Sequence, residues 1–196
     1  MGETGTSVWL SGVRTLLDRL EATQAAAIES LAIAGCDAIT AGGIVHVAGT
    51  GHSAIVPLEA FHRAGGLAAM NPLWDAATLP PTGAPQATLL ERDPARGRAV
   101  VDAAKIKRGE LLIVVSQSGI NGAPVETAIA GAEAGAVVGA FVSLPHSTGL
   151  TSRHPSGKTL AASALLPSGR GRSASPRGTP VSTTMLATSA SVFPDG

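Results

Sequence analysis

Two stretches of this chain hold residues able to grip an anion: Gly49-Thr50-Gly51-His52-Ser53-Ala54 and Ser116-Gln117-Ser118-Gly119. Each follows an apolar run and leads into a helical pattern. Glycines let a backbone approach a ligand closely, free amides at a helix start favour negative charge, and serine hydroxyls can bond phosphate oxygens. Gly49, Gly51 and Ala54 also fit the G-x-G-x-x-G/A fingerprint of dinucleotide sites, which asks for an acidic residue about twenty positions on. "MNP" stands there instead, with Asp75 late and beyond a proline. A nucleotide-binding oxidoreductase is therefore the weaker reading. One serine at a helix mouth is ordinarily a cap, whereas two serine-glycine loops of the same make argue for a shared ligand.

The loops need a frame that brings them together. Apolar residues recur at helical spacing from Trp9 to Ala41, so one or two helices open the chain. "GGIVHVAG" is a short apolar run between glycines, as in a strand buried on both faces. A helix is expected over His52 to Arg63 and a second strand in "LAAMNPL". From Trp74 to Arg92 the prolines at 80, 81 and 85 predict a long irregular connection, and connections of that length usually carry function or motion. A helix near Ala95 to Lys105, the strand "LLIVVS", the helix "APVETAIAGAEAG" and the strand "AVVGAFVS" follow. This alternation predicts an α/β fold, a three-layer α/β/α sandwich on a parallel sheet. The carboxyl ends of such strands line one crevice, which both loops would face.

Composition narrows the function classes. The 196 residues suit one domain of ordinary size. Fourteen Lys and Arg balance fourteen Asp and Glu, and Trp9, Trp74 and three Phe are the only aromatics. Neither a basic patch nor a stacking surface for nucleic acid is evident. The single cysteine, Cys36, sits in a helical pattern and suits a reducing compartment. The first twenty residues lack the order of a signal peptide, and no run of about twenty apolar residues exists. A cytoplasmic protein without a membrane partner is expected. No spacing of His with Cys or carboxylates suits a metal ion, so neither metal nor cofactor is expected.

Four separated segments, "GGIVHVAGTGHS", "FHRAGG", "VVSQSGINGAPVE" and "SRHPSGK", together resemble the sugar isomerase (SIS) domain, and bacterial SIS-domain proteins with GTGHS and S-x-SG loops in particular. The resemblance covers residues 5 to 165 or so and implies a flavodoxin-like five-stranded sheet, a sugar-phosphate ligand and a homodimer. By the same resemblance, Ser116, Ser118 and Asn121 face the phosphate, while Gly51 and Ser53 line the sugar beside Gly49, Thr50, His52 and Gly119. It implies either an aldose-ketose or amino-sugar phosphate isomerase, or a sugar-phosphate sensor without catalysis.

Isomerisation needs a base to move a proton between adjacent carbons. Glu59 and His62, on the helix behind the first loop, are the nearest acid-base candidates, and His52 lies in the loop itself. Glu59 stands about two turns beyond Ser53 and reaches the crevice if its face points inward. Otherwise it pairs with Arg63 at i+4. His62 packs at a dimer seam or serves the reaction. His146 lies just beyond the fourth strand, at the same sheet edge. His154, in "SRHPSGK", has the place from which the resemblance brings a late histidine into the neighbouring subunit's site.

The pattern changes abruptly near residue 166. Residues 1–165 form the expected phosphosugar-binding domain, and residues 166–196 are a tail rich in Ser, Thr, Pro, Gly and Arg. An apolar fifth strand and closing helix are expected to be missing or altered. The tail's composition resembles that of a GC-rich gene read in a shifted frame.

Overall fold

The apolar runs become strands close to where they are expected, each ending at a glycine or serine that turns the chain out of the sheet. The structure, a computed structural model, describes residues 4–163 and 185–187. In chain order these form α1 (Gly5–Thr40), β1 (Val45–Gly49), a 3-10 turn (Gly51–Ala54), α2 (Ile55–Ala60) and β2 (Met70–Leu73). Two further 3-10 turns, Ala76–Thr78 and Pro80–Thr82, lead to α3 (Ala84–Leu90), α4 (Pro94–Ala104), β3 (Leu111–Val115) and α5 (Gly122–Glu133). β4 (Val137–Val142), α6 (Leu144–Ser147), α7 (Leu160–Ser163) and β5 (Met185–Ala187) follow.

All five strands run parallel in the order β2-β1-β3-β4-β5. Chain direction across the sheet reverses between β1 and β3, the point at which open α/β sheets hold their ligands. Gly49 is in register with Val115, so Thr50 and Ser116 leave the sheet side by side. On one face Leu31 and Ala38 of α1 meet Val45, Val47, Leu111 and Val115. On the other, Val101, Val125, Ala128 and Leu160 cover Leu112, Val114, Val138 and Ala140. Helices α4 and α5 pack tightly because Gly97 lacks a side chain: a Cβ there would run into the Ala123 carbonyl and the Thr127 backbone amide.

The opening segment is one helix. Thr4 caps it, accepting from the Ser7 N–H at 3.3 Å, and only Leu31, Gly35 and Ala38 are buried along its length. Val8, Trp9, Leu10 and Leu17 stay exposed, Trp9 by 54%.

Two expectations need correction. The helix after the first loop stops at Ala60 rather than Arg63, because Phe61 is extended and His62 takes φ 45°. The connection from Trp74 to Arg92 is ordered into two turns and α3, since its prolines start elements instead of breaking them. Pro80 opens the second turn, Pro85 lies in the first turn of α3, and Asp75 caps the first turn through Ala77 N–H at 2.9 Å. A short edge strand is present: Met185–Ala187 pairs with Ala140–Val142. The rest of 164–196, and with it the suggested tail and its reading-frame origin, lies outside the described residues.

At the amino end of the sheet, away from the loops, a polar group is buried among three strands. His46, 2% exposed, bonds Glu110 Oε2 through Nε2 at 3.0 Å and Asn71 Nδ2 through Nδ1 at 3.0 Å. Glu110 also accepts from Lys107 N–H at 2.8 Å. Burial works against its charge, but these two donors outweigh burial and hold the carboxyl below its ordinary value.

Candidate functional site

Beyond the carboxyl ends of β1 and β3 the two loops open onto one cavity of about 390 Å³. Thr50, Gly51, His52 and Ser53 form one wall, and Ser116, Gln117, Ser118 and Asn121 the other. One face of α3, with Ala84, Ala87 and Thr88, and Glu91 at its C-terminal cap close the space between them, and His146 lies on its border.

The first wall is shaped by Gly51, whose φ of 55° is the left-handed conformation that favours glycine. Ser53 makes no capping bond there, and its hydroxyl has no partner among the described residues. In the second wall, Ser116 is buried and its Oγ accepts from Gly119 N–H at 3.1 Å. That bond folds the turn and leaves the Ser116 hydroxyl proton free to donate outward. The Ser118 hydroxyl, like that of Ser53, has no partner among the described residues.

Glu91 stands between the walls. Its Oε2 accepts from Asn121 Nδ2 at 2.9 Å, and Asn121 Oδ1 accepts from Arg153 at 2.7 Å. The two partners fix the orientation of the amide. The carboxylate's other oxygen packs on Gly51, where an added Cβ would collide with it. Burial raises the Glu91 carboxyl above its ordinary value, with the Asn121 bond and the nearby charges of His52 and Arg153 offsetting part of that effect.

Arg153 is held in place from two sides. Its N–H donates to Ile120 O at 2.8 Å, and the next residue is clamped onto α5. His154 Nε2 bonds Glu126 Oε2 at 2.8 Å, and His154 Nδ1 bonds Ser156 Oγ at 2.7 Å. Arg98 of α4 joins Glu126 from the other side.

The structure thus gathers Thr50, Gly51, His52, Ser53, Ser116, Ser118 and Asn121 around one space, with Gly49 beneath the first turn and Gly119 shaping the second. It does not bring Glu59, His62 or His154 there. Glu59 is 69% exposed and paired with Arg63, the ion-pair arrangement its spacing allows. His62 is exposed and lies near the Phe61 ring, with centroids 5.8 Å apart. The His154 side chain is largely buried against Glu126 of its own chain. Asp75, the only acidic residue near a nucleotide-type position, is tied to Arg96.

Glu91, Gln117 and Arg153 escaped the sequence reading. For Glu91 a signal existed: it lies in the long connection whose length already marked it as functional. Among the described residues, no helix is long and apolar enough to cross a membrane.

A family model described as the SIS domain matches residues 8–143. A UPF0309 protein of Listeria monocytogenes serotype 4b is 34% identical over 146 residues, covering 74% of this chain and 59% of the relative. A UPF0309 protein of Geobacillus kaustophilus is 37% identical over 124 residues, covering 63% of this chain and 49% of the relative. The chain therefore spans about half to three-fifths of the length of these relatives. Among solved structures, a phosphoheptose isomerase from Francisella tularensis is similar in fold. Its TM-score is 0.60 at 16% identity, covering 96% of this chain and 87% of that one.

Proposed function

We propose that this chain, which belongs to the SIS-domain family, binds a phosphorylated sugar in the cavity between the β1 and β3 loops and isomerises it. One observation carries the reading: Ser53 and Ser118, whose hydroxyls have no partner among the described residues, line a single cavity from two glycine-bearing turns. The phosphate is assigned to the turn of Ser116 and Ser118, whose hydroxyls can donate to its oxygens. The sugar is assigned to the wall of Gly51, His52 and Ser53. A cavity of about 390 Å³ has room for a ligand of that size. The similarity to a phosphoheptose isomerase supports the fold of such a site.

A second reading, a sugar-phosphate sensor without turnover, is favoured by the placement of Glu59 and His62 outside the cavity. Binding needs only the loops. We also propose a homodimer in the cytoplasm. The uncovered Val8, Trp9, Leu17, Leu58 and Phe61 of α1 and the α2 region support the first part, and the lone Cys36 suits the second.

The test is thermal unfolding with hexose, hexosamine, heptose and pentose phosphates, each beside its unphosphorylated sugar, and with NAD. A ligand that binds the native state raises the midpoint by mass action. One sugar phosphate is expected to raise it while its parent sugar does not. A shift with NAD alone, or with none of the compounds, would overturn the proposal.

A further inference from the structure

We infer that Glu91 is the proton-transfer group of this cavity, a role that rests on reading the cavity as a sugar-phosphate site. The argument is one of position. Isomerisation between an aldose and a ketose needs one base able to serve two adjacent carbons of a substrate whose phosphate is already anchored. Of the carboxylates among the described residues, Glu91 alone lines the cavity. It sits where both walls meet, with one oxygen on Gly51 of the sugar wall and the other held by Asn121 of the phosphate wall.

The hydrogen-bond chain from Arg153 through Asn121 to Oε2 orients the carboxylate while leaving its Gly51-side oxygen without a donor among the described residues. A base held in this way keeps one lone pair directed at the ligand space. His52 lines the same wall and is the second group that the reaction requires.

The steps balance as follows. In the open-chain substrate, the Glu91 carboxylate removes the proton from the carbon beside the carbonyl. The electron pair of that C–H bond becomes the C=C bond of an enediol, as the carbonyl oxygen takes a proton delivered through His52. Glu91 then returns its proton to the former carbonyl carbon, and His52 recovers a proton from the neighbouring hydroxyl, which becomes the new carbonyl. No oxidant, reductant or metal enters.

The experiment uses the full chain in D2O with the sugar phosphate that raises its unfolding midpoint. Proton NMR follows replacement of the carbon-bound hydrogen by deuterium, and the same samples report the midpoint shift. In the wild-type chain exchange is expected. Glu91→Gln is expected to keep the midpoint shift and to slow exchange by at least a hundredfold, whereas Glu59→Gln keeps both. Exchange by Glu91→Gln at the wild-type rate would overturn the inference and leave the binding site intact. So would a wild-type chain that binds without any exchange, which marks a sensor. A wild-type chain that binds no sugar phosphate would overturn the reading of the cavity itself, and the inference with it.

Discussion

Gly51 and Glu91 lie 40 positions apart in sequence and in direct contact in the fold: the space a side chain at Gly51 would fill is taken by the Glu91 carboxylate. The backbone at Gly51 is also left-handed. Gly51→Ala therefore meets two obstacles, a conformational cost of about 1–2 kcal/mol and a collision that the flexible Glu91 side chain relieves by leaving its place. The variant should fold with a lower unfolding midpoint and lose the midpoint shift given by the sugar phosphate. An unchanged ligand shift would mean that the wall at Gly51 does not hold the sugar.

Glu91 itself carries a cost for being where it is. Because burial raises its carboxyl in the folded protein, charging it there is harder than in the unfolded chain. The penalty is absent below the ordinary value of 4.5 and grows as pH rises through the folded value. Glu91→Gln should accordingly be more stable than wild type at pH 7 and equal to it below about pH 4. Unfolding midpoints of both chains across that range decide it, and a gain of the same size at every pH would assign the effect to packing.

The buried group of His46, Glu110 and Asn71 has the opposite dependence. Glu110 is held below its ordinary carboxylate value by Lys107 N–H and His46 in spite of its burial, so its stabilisation is present at neutral pH and lost as pH falls through the folded value. Glu110→Ala leaves His46 without its partner and should cost about 1–3 kcal/mol at pH 7. Urea unfolding at pH 7 and pH 3.5 should show the difference shrinking in acid. The cavity lies at the other end of the strands, so the ligand shift should survive.

His154, next in sequence to Arg153, is tied to Glu126 of α5. His154→Ala removes the bonds to Glu126 and Ser156 and should cost about 1–3 kcal/mol. It should also weaken the sugar-phosphate shift, because Arg153 then no longer orients Asn121 and Glu91. Arg98→Ala opens the outer side of the same Glu126 carboxylate without freeing residue 153. That variant should be less stable and bind as wild type. Equal binding by both variants would separate His154 from the site.

How much of this was legible in one dimension depended on the range of the forces involved. Strands β1, β3 and β4 could be read because an apolar run bounded by glycine or serine has few other stable fates. The two serine-glycine loops could be read because their backbone demands are local, and parallel strand pairing then places them together. The face that Glu59 presents could not be read, since two residues of altered backbone at Phe61 and His62 end the helix early and leave the side chain with Arg63. Prolines 80, 81 and 85 were ambiguous for a similar reason: the same fixed φ that breaks a helix interior opens a first turn, and tertiary packing chooses between them.

The sequence by itself determined the α/β class, the parallel sheet and the two loops that form the cavity walls, because periodicity and turn chemistry act over a few residues. Only the tertiary structure decided which charged groups belong to the site. Glu91 and Arg153 reach it from segments 38 to 102 positions from the loop residues Ser53 and Gly51, and no local pattern encodes a meeting that packing alone brings about.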